Sequence, residues 1–311
     1  MPDEVPMRRS PLLVLSLVLV VAAACGDTGT GSADGGDGPI IAVTTDVLGD
    51  VVTNLVGDLA TVAVIVPPGS SPHEYQPSAR QAVALREADA VVVNGAGFEE
   101  GLLPAVEGAE ADGVPTIVAI DAVSPLGAEG PGERDPHFFT DPRRMAEAAQ
   151  HIADRLAEEI PDIARDELAR RADEYVDELR ALDAEVDELL AGVPAARRRL
   201  VTSHDLFAYF ADRYGFEVVG TLVASGTTQA EPSAAELDRL ATVIAEEGIP
   251  AIFVEATATA DLAGTVAAEV GPDVEVVELH GETLGGEGSA AATYAGAVRT
   301  NAERIAEALG G

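Results

Sequence analysis

Five histidines occur in the 311 residues, and three of them stand in loop-like segments that follow apolar runs. His73 lies in "PPGSSPHEYQPS" (67–78), His137 in "RDPHFFTDP" (134–142) and His204 in "VTSHDLFAYF" (201–210). His280 opens "HGETLGG" (280–286), two residues before Glu282. A neutral imidazole offers a lone pair to a proton or a cation, and a carboxylate offers an anionic oxygen. Such a set can do acid–base work or hold a metal. His73, His137, His204 and Glu282 together supply three nitrogens and one oxygen, which suits tetrahedral Zn2+. Mn2+ is compatible, although a site with three nitrogens is less typical of so hard an ion. His280 is open between an auxiliary fifth ligand, a supporting base, a transient capture group and an exposed loop residue. His151, in "EAAQHIADRL" (147–156), falls inside a helical pattern and reads as a helix-surface residue. Spacing alone assigns no loop histidine to a metal, so the weight falls on where the fold puts them.

The elements that must position these residues are legible as alternating patterns. Apolar runs at 40–45, 61–66, 90–94 and 116–120 read as strands, and a second series follows at 199–203, 217–221, 251–255 and 274–279. Helical spacing of apolar residues lies between most of them. One such helix, "PSAAELDRLATVIAEEG" (232–248), has a serine N-cap, a glutamate three residues later and a terminal glycine. Strand–helix alternation twice over predicts an α/β fold of two lobes, each with a mostly parallel sheet flanked by helices. Ligands of open α/β sheets bind at the carboxyl ends of strands, where each candidate stands, two from either lobe. Facing lobes would bring them together in the cleft. Between the two series, residues 162–194 contain no glycine or proline before Gly192. Some thirty helical residues would span about 45 Å, which predicts one long rigid helix joining the lobes. Two helices with a bend are the alternative.

The first residues read as an export signal: "MRR" precedes the apolar "SPLLVLSLVLVVAAAC", which is too short for a comfortable membrane span. Translation starts at Met1 or Met7. Cys25 is the only cysteine, so the chain has no internal disulfide. Its place after "AAA" resembles a lipobox, which implies cleavage before Cys25 and lipidation of its thiol. The Gly/Ser/Asp-rich stretch that follows reads as a flexible tether. The expected organisation is a signal peptide over 1–24, lipidated cysteine and tether over 25–39, a first α/β lobe over 40–161, a linking helix over 162–193 and a second lobe over 194–311. The formal charge is −35, and all 19 basic residues are arginine. A surface of that sign repels nucleic acid and anionic lipid, which removes both from the expected partners. Most of the charge reads as a solvated surface.

With these motifs assembled, the chain resembles the zinc/manganese-type metal-binding receptors of bacterial ABC importers. "PHEYQPS", "DPHFFTDP" and "TSHDLFAYFADRYGFEVVG" are similar to the three histidine motifs of that family, and "EPSAAEL" and "IFVEATAT" to two further segments. "ELHGETLGGEGSAAATYAGAVRTNAERIAEAL" resembles the C-terminal stretch, where the fourth ligand is commonly an aspartate and this chain has Glu282. The resemblance implies that His73, His137, His204 and Glu282 ligate the metal, and that two lobes joined by one helix have limited hinge motion. Histidine at the third position leans toward zinc. The histidine-rich loop of many zinc-specific members is missing, since residues 127–134 read "GAEGPGER". His280 stands where an aromatic residue is frequent in the family.

The function these observations imply is capture of Zn2+, less typically Mn2+, outside the cytoplasm and its delivery to an ABC permease. The expected receptor is a monomer, held to the outer face of the cell membrane by its lipid anchor, and not an enzyme. Asp205 and Glu74 are available neighbours to orient the imidazoles, and affinity should fall below their ordinary pKa near 6.5. Two rival readings stand beside it. A zinc hydrolase would use Glu282 as base, against which counts the absence of a helical HExxH motif. A metal-binding surface adhesin would work without a permease.

Overall fold

All eight apolar runs form strands, and they pair in parallel into two four-stranded sheets among the described residues. The computed structural model describes residues 38–126, 134–223, 232–255 and 260–310. Cys25, the tether, most of "GAEGPGER" and the end of "IFVEATAT" lie outside them. The first lobe runs β1 (Ile40–Val43), α1 (Asp46–Val56), β2 (Thr61–Val64), α2 (Ala79–Arg86), β3 (Ala90–Val93), α3 (Leu103–Ala111) and β4 (Thr116–Val118). Two long helices follow, α4 (Pro142–Glu159) and α5 (Arg165–Leu190). The second lobe runs β5 (Arg199–Thr202), α6 (Ala208–Tyr214), β6 (Glu217–Thr221), α7 (Ala234–Glu247), β7 (Ala251–Glu255), α8 (Ala260–Val270), β8 (Glu275–Leu279) and α9 (Tyr294–Ala308). Strand orders β2-β1-β3-β4 and β6-β5-β7-β8 repeat one plan in both lobes.

The two-residue period of a strand sorts its side chains into layers. In β3, Val91 and Val93 pack outward with Leu85 of α2 and Val106 of α3, whereas Ala90 and Val92 face the centre of the molecule. In β7, Ile252 and Val254 likewise pack with Leu240 of α7 and Val266 of α8, and Ala251 and Phe253 face the centre. The central layer is one continuous apolar cluster that runs from the first sheet through α1, α4, α5 and α9 to the second. Strands buried on both faces explain why the runs are apolar without strict alternation.

Helix α5 is a single helix of 26 residues, about 39 Å long. It starts later than the pattern suggested because Ile163 turns into the core, 4 % exposed, before the first helical turn. Its first half holds the first lobe, where Arg171 donates to Val56 O at 2.6 Å. Its second half holds the other, where Asp183 accepts from Nε and Nη2 of Arg213, both at 2.6 Å, and from the Tyr214 hydroxyl at 3.2 Å. A helix fastened to both lobes and to a shared core leaves little room for a wide hinge. Among the described residues no helix is long and apolar enough to cross a membrane.

Candidate metal centre

Each candidate sits on a connection leaving the carboxyl end of a strand. His73 belongs to the loop after β2, whose far end is tied to α2. There Ser78 and Gln81 form a capping box, and the Gln81 amide also donates to Ile65 O at 2.6 Å. His137 precedes the helical turn Phe138–Thr140, and Asp141 then caps α4 by accepting the Arg143 N–H at 2.9 Å. His204 follows β5 directly, with its carbonyl taken by the Thr202 hydroxyl at 2.8 Å. Glu282 follows β8 after Gly281, a position that excludes a side chain. A Cβ there would lie 2.3 Å from Leu206 Cδ2 and 2.8 Å from Glu255 Oε1.

The four side chains converge between the lobes and are buried, with exposures of 2 % (His73), 0 % (His137), 1 % (His204) and 2 % (Glu282). One ligand atom from each lies within 4.8 Å of all the others. Glu282 Oε1 is the focus: His73 Nε2 is 2.8 Å away, His204 Nε2 2.9 Å and His137 Nε2 3.7 Å. Donor atoms around a tetrahedral zinc, with bonds near 2.0–2.1 Å, sit about 3.3 Å apart. The observed separations bracket that value, so the donor set fits a zinc-sized cation. Four electron-rich atoms gathered out of water are otherwise unfavourable.

Charge within the cluster is already arranged. The Asp135 carboxylate lies 2.7 Å from His137 Nδ1 and accepts the His137 N–H at 2.9 Å. With a proton on Nδ1, the Nε2 lone pair is directed at the cluster. Burial pushes the His137 imidazole down, but Asp135 and Glu282 outweigh it and lift it to about 9. Burial likewise works to raise Glu282, yet the imidazoles of His137, His204 and His73 hold it well below the ordinary carboxylate range. Both shifts favour an imidazolium–carboxylate pair at His137 and Glu282, a pairing with which a cation at this cluster would compete. The proton-linked window moves up from the ordinary histidine pKa for this residue.

Glu255, at the end of β7, is the fifth polar group of the centre. Its Oε1 accepts the Glu282 N–H at 2.7 Å, and its Oε2 lies 3.7 Å from His204 Nδ1. Burial and the Glu282 charge push its own carboxyl well above the ordinary range. Sequence reasoning named Asp205 and Glu74 as imidazole neighbours. Both are exposed, and the carboxylates at His137 and His204 are Asp135 and Glu255. Asp135 had a signal, since an aspartate two residues before an N–H forms an Asx turn. Glu255 had only a weak one, a charge closing an apolar strand.

His280 does not join the four. Asn301 brackets its main chain, accepting its N–H at 2.8 Å and donating to its carbonyl at 2.5 Å. The residue lines an apolar hollow with Val47, Phe139, Phe207, Phe210 and Tyr294. Burial and then Arg304 lower its pKa. His151 is half-buried on α4, as a helix residue and apart from the centre.

Residues 41–308 match the family described as zinc-uptake complex component A, periplasmic. The manganese-binding lipoprotein MntA of Halalkalibacterium halodurans is 32 % identical over 297 residues, 95 % of this chain and 97 % of that one. The iron-binding protein YfeA of Yersinia pestis is 31 % identical, over 87 % of this chain and 86 % of its own. Among solved structures, the periplasmic zinc-binding protein TroA of Treponema pallidum superposes with a TM-score of 0.81 at 29 % identity. That match covers 88 % of this chain and 99 % of TroA.

Proposed function

The chain belongs to the family of periplasmic component A proteins of zinc-uptake complexes, and from that premise we propose that its cargo is Zn2+, held by His73, His137, His204 and Glu282. At the family level it is a metal-binding substrate-binding protein of ABC importers, a receptor and not an enzyme. That sets aside the hydrolase reading. The relatives divide over the metal, with names that specify manganese, iron and zinc. The donor set carries the choice: three imidazole nitrogens and one carboxylate oxygen in a closed, water-excluding cluster. Manganese prefers more oxygens and a higher coordination number, whereas zinc is content with four mixed donors. A site in which the protein fills all four positions leaves none for an activated water, in keeping with capture and delivery.

In this reading the receptor is a monomer that works outside the cytoplasm and passes its metal to a membrane permease. Several relatives are named lipoproteins, which supports an anchor at Cys25. The adhesin reading has no observation of its own in its favour. The test is competition of Zn2+ and Mn2+ for the mature chain against a chromophoric chelator. Zinc is expected to bind at least a hundredfold more tightly, and His204→Ala to lose it. Tighter Mn2+ binding would overturn the choice of metal, and wild-type zinc affinity in His204→Ala would overturn the ligand set.

A further inference from the structure

The main chain around the ligands is tied across the cleft at more than one place. The connection of His137 meets the second lobe, where the Tyr209 hydroxyl donates to Asp135 O at 2.9 Å. The loop carrying Glu282 is gripped at two points by the opposite lobe. Asp46 Oδ2 accepts the Leu284 N–H at 3.0 Å, and Asp50 Oδ2 accepts the Tyr294 N–H at 2.9 Å. Leu284 is two residues past Glu282, and Tyr294 is the first residue of α9.

The two acceptors are four residues apart at the start of α1, so they lie on one face of the helix, one turn from each other. Between the two grips the loop closes on itself, with the Gly285 N–H donating to Ala291 O at 2.8 Å. It therefore moves as a unit, and both of its ends meet α1. On the other side, Glu255 holds the Glu282 N–H from within the second lobe. The main chain at Glu282 is held between Glu255 at the end of β7 and Asp46 at the start of α1 in the facing lobe. Asp46 is only 9 % exposed, and hydrogen bonds to a buried carboxylate are among the stronger ones. Two other polar ties between the lobes, the Tyr209 hydroxyl to Asp135 O at 2.9 Å and the Tyr294 hydroxyl to Phe139 O at 2.8 Å, hold the connection of His137 two residues to either side of it.

We propose that Asp46 and Asp50 are positioning residues for Glu282, a two-carboxylate latch across the cleft that must open before bound metal leaves. The proposal rests on the four-ligand reading above. The Leu284 and Tyr294 N–H groups are its moving side, and α1 is its fixed side. Opening it frees the 282 loop to shift away from α1 while His73 and His137 stay in place. The latch thus governs how fast the metal is released more than how fast it enters.

The test is release of Zn2+ from the loaded mature chain into excess chromophoric chelator, followed by stopped flow. Asp46→Ala should release zinc at least about tenfold faster, from the loss of a hydrogen bond to a charged acceptor. Asp50→Ala, one step farther from the ligand, should do so severalfold. Asp46→Asn keeps an oxygen for the Leu284 N–H and should restore most of the slow rate, which a purely electrostatic or structural role would not. A folded Asp46→Ala that releases zinc at the wild-type rate overturns the latch, as does an Asp46→Asn as fast as Asp46→Ala. Should Asp46→Ala fail to fold by circular dichroism, an unchanged rate in Asp50→Ala overturns it equally. A wild-type chain that takes up no Zn2+ overturns the four-ligand reading, and the latch with it. Zinc bound normally but released at equal rates by wild type and variants overturns the latch alone.

Discussion

In the first lobe the imidazoles of His73 and His137 are wedged among aromatic rings, whereas in the second His204 and Glu282 are held around a buried carboxylate. Phe98 stands edge-on to His73 with ring centroids 4.7 Å apart, and 5.6 Å from His137. Phe139 closes the other side of His137 at 5.9 Å. Phe98 is itself fixed by a tight turn with positive φ at Gly95, Ala96 and Gly97. Glu99 locks that turn, accepting the Thr44 hydroxyl and the Asn94 N–H, both at 2.6 Å. Asn94 in turn donates to Pro136 O at 2.9 Å, next to His137. Across the cleft Glu282 is held by polar groups. Its place depends on Glu255, on Asp46 and on the imidazoles it faces. Rings add to the Asp135 carboxylate in the first half, whereas the second relies on charge and hydrogen bonds, and its most sensitive charge is that of Glu282 itself.

The largest expected effect tests that contrast at the carboxylate. Glu282→Gln keeps the size of the side chain and removes its charge from among three imidazoles. Zinc affinity should fall on the order of a thousandfold, the scale for removing one partner of a buried ionic group. Chelator competition measures it. A loss below tenfold would mean that the ring-lined half binds the metal almost unaided, and the contrast between the halves would fail.

Proton linkage gives the next effect, in the metal-free protein. His137 is lifted to about 9 by Asp135 and Glu282, against burial, from an ordinary value of 6.5. A histidine raised on folding stabilises the fold fully below about 6.5, and that contribution disappears as the pH rises through about 9. The shift corresponds to about 3 kcal/mol at most. Denaturant midpoints of the metal-free chain should therefore decline between pH 6.5 and 9.5, and should decline less in Asp135→Asn. Metal binding at neutral pH should release a proton, seen as a buffer-dependent heat in titration calorimetry. A flat midpoint across this window would show that His137 is neutral without metal.

Much of this architecture could be read from residue patterns, and the exceptions have a common cause. The strands were legible because β-branched runs such as "AVVVN" and "AIFVE" are buried on both faces and bounded by turn residues. The Ser233–Glu236 capping box was legible because it is local, and the Ser233 N–H does donate to Glu236 at 2.8 Å. The convergence of His73, His137, His204 and Glu282 followed from one rule about strand ends, given facing lobes. Three things were not legible. His280 lines an apolar hollow, beside the close approach of Gly281 to Leu206, and both are details of packing. The carboxylate beside His204 is Glu255, which becomes its neighbour only when β7 pairs beside β5. Asp46 and Asp50 read as ordinary acids at a helix start, and only the approach of the lobes gives them the Leu284 and Tyr294 N–H groups. Period and turn chemistry are local, whereas a buried carboxylate acquires its role from a distant segment.

The smallest effect compares the two supporting carboxylates, one in each lobe. Asp135 meets His137 Nδ1 at 2.7 Å, so Asp135→Asn removes the anion that favours an Nδ1 proton and a bare Nε2. Zinc affinity should drop roughly 10- to 100-fold, as is usual for the partner of a metal-bound histidine. Glu255 works differently, because burial and the nearby Glu282 charge push its carboxyl well above the ordinary range. Both causes favour its neutral form, whose carbonyl oxygen can accept the Glu282 N–H. A glutamine has the same shape, carries no charge and presents the same acceptor oxygen. Glu255→Gln should therefore change zinc affinity by no more than about threefold, the cost of small readjustments in one hydrogen bond. Its metal-free stability should hold or rise slightly, since a buried amide titrates nowhere in the working range. Glu255→Ala removes the acceptor altogether and should fall well below both in affinity. A Glu255→Gln variant as weak as Asp135→Asn would mean that Glu255 is ionised once metal is bound. The second lobe would then contribute two anions to the centre, and the halves would differ in net charge as well as in how they hold their ligands.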